Sequence, residues 1–114
     1  MNTLELDTQL NALIVEGRNT EAFLKCYDEN VVAQENDEPE RHGREQWMKG
    51  REAMGKNITK YEAKVLANAA NGDGSFSEWS FDMEITGMGA MKMNQVAVRH
   101  WRNGRVVRER FYHK

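Results

Sequence analysis

Two periods of hydrophobic residues divide the chain into a helical N-terminal part and a strand-rich C-terminal part. Apolar residues recur every three or four positions after Asn2, which forms a capping-box pattern with Glu5, and this run stops at Gly17. The apolar stripe of this first predicted helix consists of Leu6, Leu10, Leu13 and Ile14. From Thr59 onward apolar and polar residues alternate instead, as in a strand with one solvent-exposed face. The pattern therefore predicts helices first and a sheet second.

Two more helices are predicted before the sheet begins. Asn19 is a suitable N-cap for a second helix, which a short turn would hold close to the first. The apolar face of this helix comprises Ala22, Phe23, Cys26 and Tyr27. A brief strand is expected at residues 31–34, and an acidic loop at residues 35–41. Beyond that loop, helical spacing around Trp47 predicts the third helix.

A first β-hairpin is predicted around the turn residues 71–74, which read Asn-Gly-Asp-Gly. Tyr61, Ala63, Val65 and Ala67 alternate mainly with charged residues before this turn, and the apolar residues of 79–85 alternate with polar ones after it. The first of these segments is rich in alanine, which also tolerates a helix. We nevertheless expect both segments to be strands, because their period is two.

A second β-hairpin follows, with strands at residues 91–102 and 105–113 around the two-residue turn Asn103-Gly104. Asn-Gly between alternating segments is the strongest short-range signal for a hairpin. Helices and an antiparallel sheet each need a partner to cover their apolar faces. The expected fold class is therefore α+β, with the helices on one side of the sheet.

Length, composition and charge narrow the classes of function. At 114 residues, 39% hydrophobic and 30% charged, the sequence suits one globular domain over residues 1–114. An acidic start and the lack of an apolar run of ~20 residues indicate a cytoplasmic protein that does not bind membranes. The net charge of −2 gives no general attraction to nucleic acid. The single cysteine, Cys26, is expected to be a small buried hydrophobe.

Several stretches of the sequence resemble the SnoaL-like polyketide cyclases of the nuclear transport factor 2-like superfamily. These stretches read FLKCYDENVV, a loop ending in HGRE, EWSFDMEI, and QVAVRHWRNGRVVRERFYH. The most specific part runs from Trp101 to Val106. The resemblance implies a cone-shaped α+β barrel, in which three N-terminal helices pack on a strongly curved, mostly antiparallel sheet around a pocket. It also implies a homodimer formed through the sheet. Members include cyclases, ketosteroid isomerase, dehydratases and nonenzymatic binding domains, so the fold leaves the function open.

Glu35 is the first candidate for a catalytic residue. Its position is similar to that of the proton-shuttling carboxylate of ketosteroid isomerase, and a partly desolvated carboxylate at a pocket rim could move a proton next to a carbonyl. The alternative is a solvated acid in an acidic loop. The other catalytic groups of the isomerase have no counterparts, since apolar or amide residues near Leu10 and Ala97 stand in their places. Isomerase activity of that type is therefore not expected.

Arg99 is the second candidate, because strand alternation puts it on one face with Gln95, Ala97 and Trp101. If the resemblance to the isomerase holds, this face points inward. Arg99 could then bind a carboxylate or enolate oxygen, or pair with Glu35. The alternative is an exposed arginine on a strand.

Further candidates for contact with a ligand lie on the last strand and around the glycine loop. On the last strand, either Arg110 with Tyr112 or Glu109 with His113 faces the pocket, and the sequence leaves both choices open. The thioether of Met83 suits a deformable apolar lining, although core packing explains a methionine equally well. Trp79 could line the pocket floor or fill the core. The predicted ligand-binding set is Trp79, Met83, Gln95, Trp101, Arg110 and Tyr112.

No cofactor is predicted, because the sequence has no metal-binding spacing of histidines or cysteines, no phosphate loop and no dinucleotide fingerprint. One hypothesis is an enzyme of cyclase, isomerase or hydratase type that uses Glu35 on a small apolar carbonyl compound. The other is a module for ligand binding or dimerisation without chemistry. Nucleic-acid binding is disfavoured, because alternation divides the C-terminal arginines between the two faces of the sheet.

Overall fold

Three helices cover one side of a curved six-stranded sheet in the computed structural model, which describes all residues from Met1 to Lys114. The elements in chain order are α1 (Thr3–Val15), α2 (Asn19–Cys26), β1 (Tyr27–Glu35), β2 (Arg41–His42), α3 (Arg44–Gly55), β3 (Ile58–Asn71), β4 (Gly74–Ile85), β5 (Gly89–Arg102) and β6 (Arg105–His113). The strand order is β2-β1-β6-β5-β4-β3, and only the β1–β6 pair is parallel. The predicted α+β class and its three-helix cone are confirmed.

The first two helices begin in different ways. Asn2 accepts a hydrogen bond from the backbone of Glu5, and the Glu5 side chain accepts one from the backbone of Asn2, so the predicted capping box is confirmed. Asn19, in contrast, is the first helical residue of α2 rather than its cap, so the helix begins one residue earlier than predicted. Arg18 takes the cap position, and no side chain caps the helix there.

Strand pairing lengthens the strands beyond their predicted ends. β1 begins at Tyr27, which the helical spacing placed on the second helix. Tyr27 pairs with Val106 of β6, and a register shift between Tyr27 and Val32 accommodates the polar residues between them. β3 likewise continues past a shift between Val65 and Ala67, where its alternation breaks. Pairing along the sheet therefore outweighs local propensity at both places.

The core lies between the helices and the concave face of the sheet. Trp47 of α3 meets Phe23 and Tyr27 edge to face, with ring centroids 4.9 and 5.0 Å apart. Cys26 is buried beside them, and burial raises the pKa of its thiol, so the prediction of a small buried residue is confirmed. None of the three helices is both long enough and apolar enough to cross a membrane.

Candidate functional site

A cavity of about 690 Å³ lies between the helices and the concave face of the sheet. Of its 25 lining residues 14 are hydrophobic, so a ligand inside it would meet a mostly apolar surface. Exposed residues at its mouth, including Thr20 and Met54, belong to α2 and α3. Its deep end is formed by buried residues, among them Tyr27, Trp79 and Arg99. The cavity therefore runs from the helix ends down to the sheet.

Three polar residues form a row across neighbouring strands on the concave face. Ser75 of β4 pairs with Arg99 of β5, and Arg99 pairs with Glu109 of β6. Directly opposite residues of paired strands point to the same face, so the three side chains are neighbours. All three are buried, with exposed fractions of 0% for Ser75 and Glu109 and 1% for Arg99.

The Arg99 guanidinium is held from two sides. Its Nε donates to Glu109 Oε2, and its Nη1 donates to Asp7 Oδ1 at 2.8 Å and to Asn11 Oδ1 at 2.6 Å. Asp7 and Asn11 lie one turn apart on α1, so both reach the sheet from the same helix face. Burial would lower the pKa of Arg99, but the negative charges of Glu109 and Asp7 raise it, so the guanidinium stays charged.

Asp7 is anchored behind Arg99, outside the cavity lining. Its carboxylate accepts hydrogen bonds from the hydroxyls of Ser75 and Ser77, each at 2.6 Å, and from the amides of Asn11 and Asn68, each at 3.1 Å. Burial alone would raise the pKa of Asp7, but the charge of Arg99 and these hydroxyl hydrogen bonds lower it. Asp7 is therefore ionised at neutral pH.

Glu109 accepts hydrogen bonds at both of its oxygens. Oε2 faces Arg99, and Oε1 accepts from the Tyr27 hydroxyl at 2.7 Å. Burial and the neighbouring Glu109 carboxylate raise the pKa of Tyr27 well above its ordinary value, so its hydroxyl stays protonated and donates. Tyr27, Arg99 and Glu109 all line the deep end of the cavity. A ligand that reaches this end would meet a fixed, hydrogen-bonded set of groups.

One nitrogen of Arg99, Nη2, donates to no atom of the protein. Every wholly buried side-chain nitrogen or oxygen in the structure has a hydrogen-bond partner, so Nη2 must keep a small accessible surface. Arg99 is one of the residues that line the cavity. Nη2 is therefore the nitrogen of Arg99 that is left to donate to a ligand, while Nε and Nη1 hold the side chain in place.

Glu35 lies at the end of β1 and lines the same cavity nearer its rim, with 29% of its side chain exposed. Its Oε1 is 4.0 Å from Nη2 of Arg51, and the Arg51 guanidinium lies over the rings of Trp47 and Phe111. The ion-pair partner of Glu35 is thus Arg51 rather than Arg99, whose carboxylate partners are Asp7 and Glu109. The catalytic role of Glu35 stays a prediction.

The other predicted ligand-binding residues divide into two groups. Trp79, Met83 and Gln95 line the cavity. Trp101 does not, because it is buried beside the polar row, where its indole donates to Ser75 at 2.8 Å. Arg99, expected either inside or as an exposed arginine, is inside.

Arg110 and Tyr112 also lie outside the cavity, because β6 turns them to the outer face of the sheet. Arg110 donates to the backbone carbonyl of Asn36 and to the carboxylate of Asp37. Of the two pairs on β6 that the sequence left open, Glu109 and His113 are the pair that lines the cavity. Contact between a ligand in this cavity and Arg110 or Tyr112 does not fit the structure.

Sequence reasoning missed the partners that hold Arg99, although a weak signal for them exists. Asp7 and Asn11 flank Leu10 inside the apolar stripe of the first helix. By strand alternation, Ser75 and Ser77 lie on the same face as Trp79, and the other residues on that face are apolar. Polar residues on a buried face require partners, so each of these positions indicates a buried polar contact.

Solved structures with the same fold share little sequence with this chain. A proposed SnoaL-like polyketide cyclase from Mesorhizobium loti is 23% identical, with a TM-score of 0.83 over 98% of this chain and 99% of that one. A nuclear transport factor 2-like protein of unknown function from Burkholderia pseudomallei is 12% identical, with a TM-score of 0.85 over 100% and 92%. An LEH-like epoxide hydrolase from Mycobacterium tuberculosis is 16% identical, with a TM-score of 0.81 over 98% and 84%. These likenesses show the fold alone.

No curated protein matches the sequence. The family model described as the SnoaL-like domain matches residues 8–109. The matched region includes Glu35 and the strand residues Arg99 and Glu109 at the deep end of the cavity, while Asp7 lies just before it. Because the match covers most of the sequence, this chain belongs to the SnoaL-like domain family.

Proposed function

We propose that the protein binds a small, mostly apolar, oxygen-bearing molecule in the cavity and acts on it by acid–base chemistry without a cofactor. The reaction would be of cyclase, isomerase or hydratase type on a carbonyl-containing compound. One observation carries the proposal: Glu35 and Arg99 line the same mostly apolar cavity, and Nη2 of Arg99 donates to no atom of the protein.

The two groups have complementary roles in this proposal. Arg99 is held by Glu109 on one side and by Asp7 and Asn11 on the other, so its Nη2 would donate to the oxygen of the ligand in a fixed orientation. Glu35 would take a proton from a carbon or a water next to that oxygen and return it later in the reaction. Because Glu35 is only partly exposed, a bound ligand would shield it further from water.

The cavity suits a compact apolar molecule. Its volume of about 690 Å³ lies within the range that small-molecule sites occupy. Trp79 supplies a rigid buried surface, while Met83 and Met93 supply flexible thioethers that can adapt to the ligand's shape. Solved structures with this fold include proteins named as a polyketide cyclase and an epoxide hydrolase. Those names are compatible with an oxygen-bearing organic ligand.

Binding without chemistry is the second candidate, and the pairing of Arg99 favours it. Two carboxylates, Asp7 and Glu109, already contact this guanidinium. Negative charge developing on a ligand oxygen would therefore gain less stabilisation than it would beside an unpaired cation. In that case the domain would hold its ligand and release it unchanged.

The test uses a panel of apolar ketones, esters and epoxides incubated with the wild-type protein and the Glu35→Gln variant. We expect at least one compound to be converted by the wild type, and the variant to lose about 100-fold or more of that rate, because acid–base groups contribute on that order. Product formation is measured by mass spectrometry, and binding by the shift in melting temperature.

Glu38→Gln is the matched control, because Glu38 is an exposed acid of the adjacent loop that does not line the cavity. We expect this variant to keep the wild-type rate. Equal rates in wild type and Glu35→Gln would remove Glu35 as the base. Thermal stabilisation by compounds that the wild type never converts would establish the binding module instead.

A further inference from the structure

We propose that the deep end of the cavity selects neutral oxygen-bearing ligands, such as amides, ketones and alcohols, over carboxylates of the same skeleton. This inference rests on the proposed ligand-binding function and names its ligand class. Its basis is the charge around Arg99 Nη2, the donor that a ligand oxygen would meet.

Two full negative charges surround the single positive charge at this end of the cavity. Both oxygens of Glu109 accept hydrogen bonds, from Tyr27 and Arg99, as in an ionised carboxylate. The oxygens of Asp7 accept from five donor groups and have no room for a proton of their own. These donors are Asn11, Asn68, Ser75, Ser77 and Arg99. The cluster of Asp7, Arg99 and Glu109 therefore carries a net charge of −1.

The rest of the lining does not reverse this balance. Towards the mouth, the cavity lining adds two carboxylates, Glu35 and Glu52, and one guanidinium, Arg51, which pairs with Glu35. The imidazole of His113 also lines the cavity. A ligand anion would thus find no excess of positive charge at either end.

A neutral oxygen uses Nη2 better than an anion does. A carbonyl or hydroxyl oxygen accepts the hydrogen bond from Nη2 and loses little hydration on entering. A carboxylate would accept the same bond, but it would lose far more hydration and would be repelled by Asp7 and Glu109. An arginine usually recruits carboxylates, so the two buried acids change what this arginine binds.

Amide and carboxylate pairs of nearly the same shape compare a neutral ligand with an anionic one. The probes are 2-naphthamide with 2-naphthoate, and 4-phenylbutyramide with 4-phenylbutyrate, titrated calorimetrically at pH 7. In the wild-type protein we expect the amide of a pair to bind at least about tenfold more tightly than its carboxylate.

The Glu109→Gln variant removes one of the two negative charges while keeping the size of the side chain. The glutamine carbonyl can still accept from Arg99, and its amide can donate to the Tyr27 oxygen. We expect the preference for the amide to fall by about tenfold. Asp7→Asn removes the other charge from outside the cavity lining, so the proposal stays testable if Glu109→Gln fails to fold. Glu78→Gln, on the outer face of β4, should leave the preference unchanged.

Each outcome decides the proposal. A stronger amide preference in the wild type that shrinks in Glu109→Gln or Asp7→Asn supports it. Tighter binding of the carboxylates by the wild type would overturn the selection while leaving ligand binding intact. A preference that persists unchanged in both variants would also overturn it, because charge would then not be the cause. If no probe binds at all, the selection fails, while the panel of ketones, esters and epoxides still decides the proposed function.

Discussion

At the scale of single residues, Asp7 ties together parts of the chain that are far apart in sequence. Its carboxylate contacts α1 through Asn11, β3 through Asn68, β4 through Ser75 and β5 through Arg99. The lost hydration of Asp7 and Arg99 is offset only while all these partners are present. Removing one member leaves a buried charge without its counterpart, which makes the cluster sensitive to single substitutions.

We expect Asp7→Ala to lower the free energy of unfolding by about 3–5 kcal/mol at pH 7. The pKa of Asp7 is lowered from its ordinary value of 3.8 by folding, so its contribution is fully present above that value and is lost as the pH falls through the folded pKa. The difference in the free energy of unfolding between wild type and Asp7→Ala should therefore become smaller below about pH 4. Urea denaturation at a series of pH values measures it.

Asp37→Ala is the control for this effect. Asp37 also pairs with an arginine, Arg110, but its side chain is 99% exposed. An exposed ion pair contributes about 0–1 kcal/mol, so this variant should be close to the wild type. A similar loss in both variants, or a gap for Asp7→Ala that is constant from pH 7 to pH 3, would contradict the role given to the buried cluster.

The sequence indicates the face of a residue more readily than its partner. Strand alternation correctly put Arg99 on one face with Gln95 and Ala97, because the period of a strand is local information. The contact between Arg99 and Asp7 joins residues 92 positions apart and depends on how α1 lies across the sheet. For the same reason Glu35 and Arg99 could be proposed as partners from sequence, whereas the structure pairs Glu35 with Arg51.

At the scale of elements, backbone conformation explains where the sequence pattern was reliable. The dipeptide Asn103-Gly104 predicts its turn directly, because Asn-Gly favours positive φ angles at both positions. In the structure the two residues have φ angles of 53° and 76°. The start of β1 was not predicted, because Tyr27 fits the helical spacing of α2 and becomes a strand residue only by pairing with Val106 of β6. Signals that lie within a turn are visible in sequence, while pairing between distant strands is not.

Replacing two glycines by alanine should change the free energy of unfolding in opposite directions. An added Cβ would have no neighbour within 4 Å at Gly104 or at Gly50, so backbone conformation alone should decide the outcome. Gly104→Ala forces a left-handed alanine and should lower the free energy of unfolding by about 1–2 kcal/mol. Gly50→Ala lies within α3 and should raise it by about 1 kcal/mol. Chemical denaturation measures both, and effects of the same sign would contradict the explanation.

At the scale of the whole molecule, the outer face of the sheet carries an apolar area, which we call the outer patch: Phe76, Val96, Val98 and Tyr112. Phe76 pairs with Val98 and Val96 pairs with Tyr112, so the outer patch spans β4, β5 and β6. Phe76, Val96 and Tyr112 are 42%, 37% and 45% exposed, which leaves substantial apolar surface in contact with water.

We propose that a second copy of the chain covers the outer patch. A two-fold axis along β5 would put β4 of one copy, with its acidic Glu78, over the arginine-bearing β6 of the other. The wild type should then have twice the 13.2 kDa mass of the chain in sedimentation equilibrium, and Val96→Lys should have the mass of one chain. Leu24→Lys alters an apolar residue on α2 that is more exposed than Val96, and this variant should stay dimeric. A monomeric wild type would end this proposal.

The two ends of the cavity are built from different parts of the fold, and this difference bears on how the protein can change. The polar row at the deep end is anchored through paired strands and α1, so a new side chain there would affect folding as well as recognition. The mouth is formed by exposed residues of α2 and α3, such as Thr20 and Met54, which lie outside the buried core. Evolution or a protein engineer could therefore alter which molecules enter by changing the mouth, while the chemistry at the far end is inherited unchanged.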